Sequence, residues 1–198
     1  MRGGTDVLFY RGKKIRLYLY FNAVLDCIRI LRRSDLDGGA KLDVSLAVLT
    51  DGSRFVRRLP PEEKAELYTR IFDEKINPPK RAGTDEGVKT VDLLFDWPLI
   101  RAAFLQNYQI DPERQYNRMH WRAFMALFQG LTGTKLNEVM QIRGMELPEP
   151  TRYNAAQLNE LRKMKRYWAL PLEVIGENYG EQLERMFTTL SKMAKGGQ

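Results

Sequence analysis

The chain has a single cysteine, Cys27, and a single histidine, His120, among its 198 residues. One cysteine excludes an internal disulfide and any zinc site built from several cysteines. One histidine leaves a Ser-His-Asp or Cys-His catalytic group only one candidate base, and it excludes the paired histidines of common metal motifs. We therefore expect no enzyme activity, cofactor or metal. We interpret Cys27 as a small buried side chain in a helix, and His120 as a partly buried side chain bonded to backbone.

Long apolar runs and phosphate-binding loops are also missing. No stretch approaches the roughly 18 apolar residues of a membrane-spanning helix. The start of the chain lacks the apolar core of a signal peptide. The glycine pairs Gly3-Gly4 and Gly38-Gly39 have neither the spacing of a phosphate-binding loop nor a following Lys-Ser/Thr. These absences predict a cytosolic protein that neither binds nucleotides nor enters a membrane.

What the sequence does contain is typical of a folded globular protein with a basic surface. Hydrophobic residues make up 43% and aromatic residues 11% of the chain, and its length suits one domain or two small lobes. The formal net charge is +7, and the excess of Lys and Arg lies towards the two ends. Basic ends suit contact with nucleic acid, docking of an acidic partner, or solubility, and composition leaves these three alternatives open.

Hydrophobic periodicity predicts a mainly α fold of about six to eight helices after a small N-terminal β-hairpin. The hairpin turns at Gly12, and Ile15, Leu17 and Leu19 alternate towards the core. Start signals predict helices that begin near Asn22, Asp43, Pro60, Asp96, Asp111, Thr134, Asn154 and Leu183.

A polar stretch divides the chain. Residues 77–90 contain Pro78-Pro79, Gly83 and Gly87 with few apolar side chains, which predicts a linker or mobile loop. We therefore expect an N-terminal part of hairpin and helices over residues 1–76, and a helical region over residues 91–198 that packs on it.

Two segments are candidates for partner binding. Basic and aromatic residues alternate from Arg162 to Trp168, a pattern that suits a solvated helix face, a protein interface or nucleic-acid contact. Met164 and Trp168 are expected on its apolar side, and Arg162, Lys165 and Arg166 on the opposite side. The predicted terminal helix presents an apolar face that suits either groove binding or core packing. The candidate partner-binding residues are Arg162, Lys163, Lys165, Arg166, Met186, Phe187, Leu190 and Met193.

The segment from Asp92 to Pro171 resembles the bacteriophage "gene product fifteen" family of siphophages and prophages. The resemblance rests on Phe95-Asp96, on the run from Ile100 to Asp111, on His120-Trp121, and on the closing run from Leu161 to Pro171. We interpret the signature side chains as structural rather than catalytic. They are Phe95, Asp96, Phe104, Tyr108, His120, Trp121 and Phe124.

The resemblance implies a role in phage tail assembly. Family members are encoded just ahead of the tape-measure gene, where tail assembly chaperones are encoded. It therefore implies a non-enzymatic chaperone that binds the tape-measure protein in the cytoplasm of a bacterial host and is absent from the mature virion.

Two alternatives come from other functional classes. A nucleic-acid-binding accessory protein would use the basic helix together with Lys13, Lys14 and Arg16, and its binding would weaken steeply with salt. A structural tail or connector subunit would self-associate into a ring that persists in the virion.

Overall fold

The structure, a computed structural model, describes residues 5–77 and 89–171. Within these ranges it is mainly α with an N-terminal β-hairpin, which confirms the predicted fold class. The strands are β1 (Thr5–Tyr10) and β2 (Lys13–Tyr18), and the α-helices are α1 (Phe21–Leu31), α2 (Gly38–Thr50), α3 (Arg54–Arg57), α4 (Pro61–Ile71), α5 (Trp97–Tyr108), α6 (Trp121–Gln129), α7 (Lys135–Gly144) and α8 (Ala155–Trp168). The segment 78–88 and the predicted helix at Leu183 lie outside the described residues.

The hairpin has the predicted turn and the predicted inward face. Its two strands pair antiparallel, and Arg11 and Gly12 join them with φ angles of 48° and 71°. Two positive φ angles form the tight turn whose twist suits a two-residue hairpin, and glycine tolerates this conformation without steric cost. Ile15, Leu17 and Leu19 are all buried, because alternate residues of a strand point to the same side.

The starts of α1 and α2 differ from prediction. Tyr20, not Asn22, is at the N-cap of α1. Asn22 lies inside the helix, where its amide donates to the Asn117 side chain at 3.0 Å. Helix α2 begins before Asp43, because the Asp37 carboxylate accepts the Ala40 backbone N–H at 2.8 Å and so caps it there. The glycine pair 38–39 therefore opens α2.

The single long helix predicted from Asp111 is also wrong. A short 3₁₀ turn occupies Pro112–Gln115, and α6 begins only at Trp121. Asn117 has a φ of 56°, a left-handed conformation that interrupts a right-handed helix. The predicted starts at Pro60, Asp96, Thr134 and Asn154 agree with the structure within one residue.

The described residues form two compact units. Residues 5–77 and 113–126 belong to the first unit, and residues 89–112 and 127–171 belong to the second. The first unit contains the hairpin, α1 to α4 and the first residues of α6, with Leu17, Phe21 and Leu46 among its fully buried side chains. The second contains α5, the end of α6, α7 and α8, with Ile100, Phe104 and Val139 in its core.

Candidate functional site

A buried ion pair joins two residues of the second unit. Asp96 is at the N-cap of α5, but its side chain makes no cap bond. Its two carboxylate oxygens instead accept Nη1 and Nη2 of Arg143 at 2.6 and 2.9 Å. The backbone N–H of Asp92 also donates to this carboxylate at 2.9 Å. The predicted signature residue Asp96 is therefore half of a fully buried, bidentate pair.

Arg143 also holds two backbone carbonyls. Its Nη1 donates to the Thr90 carbonyl at 2.9 Å, and its Nε donates to the Trp168 carbonyl at 2.6 Å. One guanidinium thus links the segment before α5, helix α7 and the end of α8. The planar guanidinium has five N–H donors and can reach the carboxylate and both carbonyls at once, whereas a lysine ammonium could not.

The signature residues of α5 support the same unit. Phe104 is fully buried, and its ring centroid lies 5.8 Å from that of Tyr108 in an edge-to-face arrangement. The Tyr108 hydroxyl donates to the Leu127 carbonyl at 2.8 Å. Phe95 differs, because its side chain is exposed. Phe104 and Tyr108 therefore contribute to packing, whereas Phe95 lies at the surface.

The signature residues of α6 connect distant segments of the first unit. The backbone of His120 pairs with that of Tyr20, and the indole N–H of Trp121 donates to the Ile76 carbonyl at 2.8 Å. The ring of Phe124 stacks on that of Phe21, with centroids 4.8 Å apart. These contacts place the start of α6 beside the start of α1 and beside Ile76, the last residue of the π-helical turn Phe72–Ile76 that follows α4.

The His120 side chain faces backbone on one side and a carboxylate on the other. Its Nδ1 accepts the Arg122 backbone N–H at 3.1 Å, and its own carbonyl accepts the Phe124 N–H at 3.0 Å, so His120 caps α6. Its Nε2 lies 3.7 Å from Oδ2 of Asp6, and neither atom has a hydrogen-bond partner among the described residues. Burial lowers the pKa of His120 despite the opposing attraction of Asp6. The predicted half-buried, backbone-bonded histidine is confirmed.

Cys27 is buried, as predicted. Its thiol donates to the Ser45 carbonyl at a sulfur–oxygen distance of 3.7 Å. Burial raises the pKa of the Cys27 thiol well above its ordinary range, which keeps the sulfur protonated and inert.

Three of the four candidate basic residues share the exposed face of α8. Arg162, Lys163 and Arg166 are exposed, and residues three and four apart lie on the same side of a helix. Tyr167 joins them with 78% of its surface exposed. Lys163 also pairs with Glu160 at 2.8 Å. This set, Arg162, Lys163, Arg166 and Tyr167, is called the basic face below.

Two predictions for α8 are wrong. Lys165 lies off the basic face, because its ammonium donates to the Arg143 carbonyl at 3.0 Å and also to the Met145 carbonyl. Met164 is exposed, although it was expected in the buried stripe. Leu158 is the helix residue that is fully covered, and Trp168 is half-buried.

The remaining candidates fall in two places. Met186, Phe187, Leu190 and Met193 lie outside the described residues. Lys13, Lys14 and Arg16 are exposed on β2, and Lys14 pairs across the hairpin with Phe9, whose side chain is also exposed.

The family model described as "Bacteriophage Gp15 protein" matches residues 5–170. The chain belongs to this family. No curated protein and no solved structure shows a significant match. The Gp15 match begins in β1 and therefore includes the first unit as well as the segment from Asp92 to Pro171 on which the resemblance rested.

Two features of this Gp15 family member were missed from its sequence. One is the role of Arg143, a residue within the recognised pattern whose partners are distant in sequence. The other is a groove in the first unit, with a volume of about 610 Å³, to which α2, α3 and α4 contribute; it is called the α2–α4 groove. Its signal would have been Val44 and Val48, which are apolar residues on the outer side of α2.

Within residues 5–77 and 89–171, no group of three or more His, Cys, Asp or Glu side chains is arranged to hold a metal ion. None of the helices in these ranges combines the length and apolar character needed to cross a membrane.

Proposed function

We propose that this phage protein is a non-enzymatic tail assembly chaperone that binds the tape-measure protein during tail morphogenesis. The observation that carries the proposal is the basic face of α8, which lies within the family match. In this proposal the protein acts in the cytoplasm of the bacterial host and is absent from the finished virion.

The basic face has the chemistry of a surface that captures an acidic partner. The side chains of Arg162 and Arg166 are exposed and form no hydrogen bond or ion pair with the described residues, so their guanidiniums are available to carboxylates. Clustered positive charge accelerates encounter with acidic segments and favours the correct partner over others. Tyr167 adds a large side chain that can contact both apolar and polar groups. The partner segment is therefore an acidic stretch of the tape-measure protein.

The surroundings of His120 support a role without catalysis. Nδ1 is occupied by the Arg122 N–H, and Nε2 faces Asp6. The one histidine of the chain is thereby engaged in capping a helix, which explains it without a catalytic function.

The test is co-expression of the tagged protein with the tape-measure protein of the same phage, followed by affinity capture. A triple variant, Arg162→Glu, Lys163→Glu and Arg166→Glu, reverses the basic face. Lys13→Glu, Lys14→Glu and Arg16→Glu together are the matched control, because they change the net charge equally at another exposed site. We expect the wild type and the control to keep the tape-measure protein soluble and the α8 variant to associate at least tenfold more slowly. Equal association rates for all three would refute the role of the basic face.

Nucleic-acid binding is the second candidate, and exposed aromatic side chains beside arginines favour it. Tyr153 and Tyr167 are the described tyrosines with the most exposed side chains, and both are available for stacking with bases. This alternative predicts that nucleic acid leaves the protein as salt rises from about 50 to 200 mM.

A structural tail subunit would instead self-associate and be found in purified virions, where the chaperone is absent.

A further inference from the structure

The α2–α4 groove has an apolar floor. Val44, Ala47 and Val48 of α2 line one side, and Val56 of α3 lines the other. Val44 is 42% exposed, although it is an aliphatic side chain in the middle of a helix. The groove therefore presents apolar surface to solvent in a unit whose other aliphatic residues are mostly covered.

The polar groups that line the groove are already engaged, with one exception. The ammonium of Lys64 pairs with Asp43 at 2.7 Å, and the Thr50 hydroxyl donates to the Leu46 carbonyl at 2.6 Å. Arg57 is exposed and makes no side-chain hydrogen bond or ion pair with the described residues. A small polar ligand needs several convergent polar groups for orientation, and the described lining offers one.

Positive charge lies beside this floor. Arg54, Arg57 and Arg58 are three and four residues apart around α3, so they share one side of that short helical segment. All three are exposed, and no acidic side chain among the described residues pairs with them. An apolar floor with a row of unpaired arginines along one side is complementary to an apolar helix stripe bordered by acidic residues.

We propose that the α2–α4 groove binds an amphipathic helix of a partner protein, with the apolar stripe of that helix on Val44, Ala47 and Val48 and its flanking carboxylates on Arg57 and its neighbours. The site lies in the first unit and is distinct from the basic face of α8. The proposal does not require that the partner is the tape-measure protein.

The test uses the full chain and a synthetic helical peptide with leucines at positions i, i+3, i+4 and i+7 and glutamates on both flanks. A second peptide has the same leucines with lysines in place of the glutamates. Binding is measured by fluorescence anisotropy of the labelled peptides. Val44→Glu and Arg57→Glu alter the groove. Leu105→Glu is the control for Val44→Glu, since Leu105 is also an aliphatic residue and is 44% exposed. Arg16→Glu is the control for Arg57→Glu, since Arg16 is an exposed arginine elsewhere in the chain.

We expect the acidic peptide to bind the wild type and both controls with equal affinity, and to bind the two groove variants at least tenfold more weakly. The lysine peptide should bind the wild type at least tenfold more weakly than the acidic one. No binding of the acidic peptide, or equal binding by groove variants and controls, would overturn the proposal. A wild type that is dimeric in light scattering, with a monomeric Val44→Glu variant, would also overturn it, because a second copy of the chain would then occupy the groove. Failure of tape-measure capture would leave the peptide result unchanged, so the two proposals fail separately.

Discussion

The guanidinium of Arg143 donates to both carboxylate oxygens of Asp96, and the two side chains are 5% and 2% exposed. The other donors of Arg143 reach the carbonyls of Thr90 and Trp168. Because every charged group here has a partner, the cost of burying the two charges is offset within the second unit. Removal of either partner would leave the other charged, buried and uncompensated.

Asp96→Ala should therefore destabilise the protein strongly. We expect the free energy of unfolding to fall by about 3–5 kcal/mol, the range for a buried pair that loses one member. Arg143→Lys should also destabilise the protein, because an ammonium cannot reproduce the bidentate hydrogen bonds of the guanidinium with the Asp96 carboxylate. Urea denaturation of full-length variants measures the effect. Glu160→Ala is the control, because its exposed pair with Lys163 should contribute no more than about 1 kcal/mol. A loss below about 1 kcal/mol in Asp96→Ala would contradict the structural role of the pair.

The arrangement around Arg143 also shows what the sequence could predict. Helix periodicity and start signals located the beginnings of α7 and α8 within one residue, because 3.6-residue spacing and cap residues are local signals. The partners of Arg143 are 25 to 53 residues away in the chain. A local sequence pattern cannot predict contacts between residues so far apart. The pairing of Tyr20 with His120 was missed for the same reason.

For the segment from Arg162 to Trp168, residue spacing alone did not predict which basic side chains lie on the exposed side of α8. The sequence correctly placed Arg162 and Arg166 on one exposed side. It misplaced Lys165, because a long side chain at the boundary of the apolar face can turn towards carbonyls of a neighbouring helix. Whether such carbonyls are within reach depends on how α7 and α8 pack, which the sequence of α8 does not encode.

The cap that His120 provides gives a second prediction. His120→Ala removes the acceptor for the Arg122 N–H and should lower the free energy of unfolding by about 1 kcal/mol, the usual effect of losing an N-cap. His120→Asn restores a side-chain acceptor at the cap and should recover most of that loss. Thermal or urea unfolding of the two variants compares them directly. Equal destabilisation by both would show that the interaction with Arg122 is not the stabilising one.

The pH dependence of stability gives a third prediction. Burial, the largest influence, lowers the pKa of His120 below its ordinary value of 6.5. The unfolded chain then binds this proton at a higher pH than the folded chain, so stability increases with pH in this range. The contribution is complete above about pH 6.5 and is lost as pH falls through the lower folded pKa.

Urea denaturation at a series of pH values from about 7.5 to 5 tests this, with His120→Asn as the reference that lacks the titrating group. We expect the wild type to lose more stability than His120→Asn on acidification. If the Asp6 carboxylate dominated instead, protonation would stabilise the fold and the wild type would lose less. That opposite sign would contradict burial as the main cause.

Lys165 and Lys163 are two residues apart in α8 and should differ sharply in their effect on stability. The Lys165 ammonium donates to the carbonyls of Arg143 and Met145, at the C-terminal end of α7. A cation there satisfies carbonyls that have no helical partner and interacts favourably with the helix dipole. The Lys163 ammonium pairs with the exposed Glu160 carboxylate, and no other ion pair or side-chain hydrogen bond of Lys163 is present among the described residues.

Lys165→Ala should therefore lower the free energy of unfolding by about 1–3 kcal/mol, whereas Lys163→Ala should change it by less than about 0.5 kcal/mol. Partner binding should follow the reverse order, because Lys163 belongs to the basic face and Lys165 does not. The two variants, compared by urea denaturation and by the rate of tape-measure capture, separate a stabilising lysine from an interacting one. Equal stability of both variants would mean that the bonds from Lys165 to the end of α7 contribute nothing in solution. Slower capture by Lys165→Ala alone would move the interaction surface from the basic face to the inner side of α8.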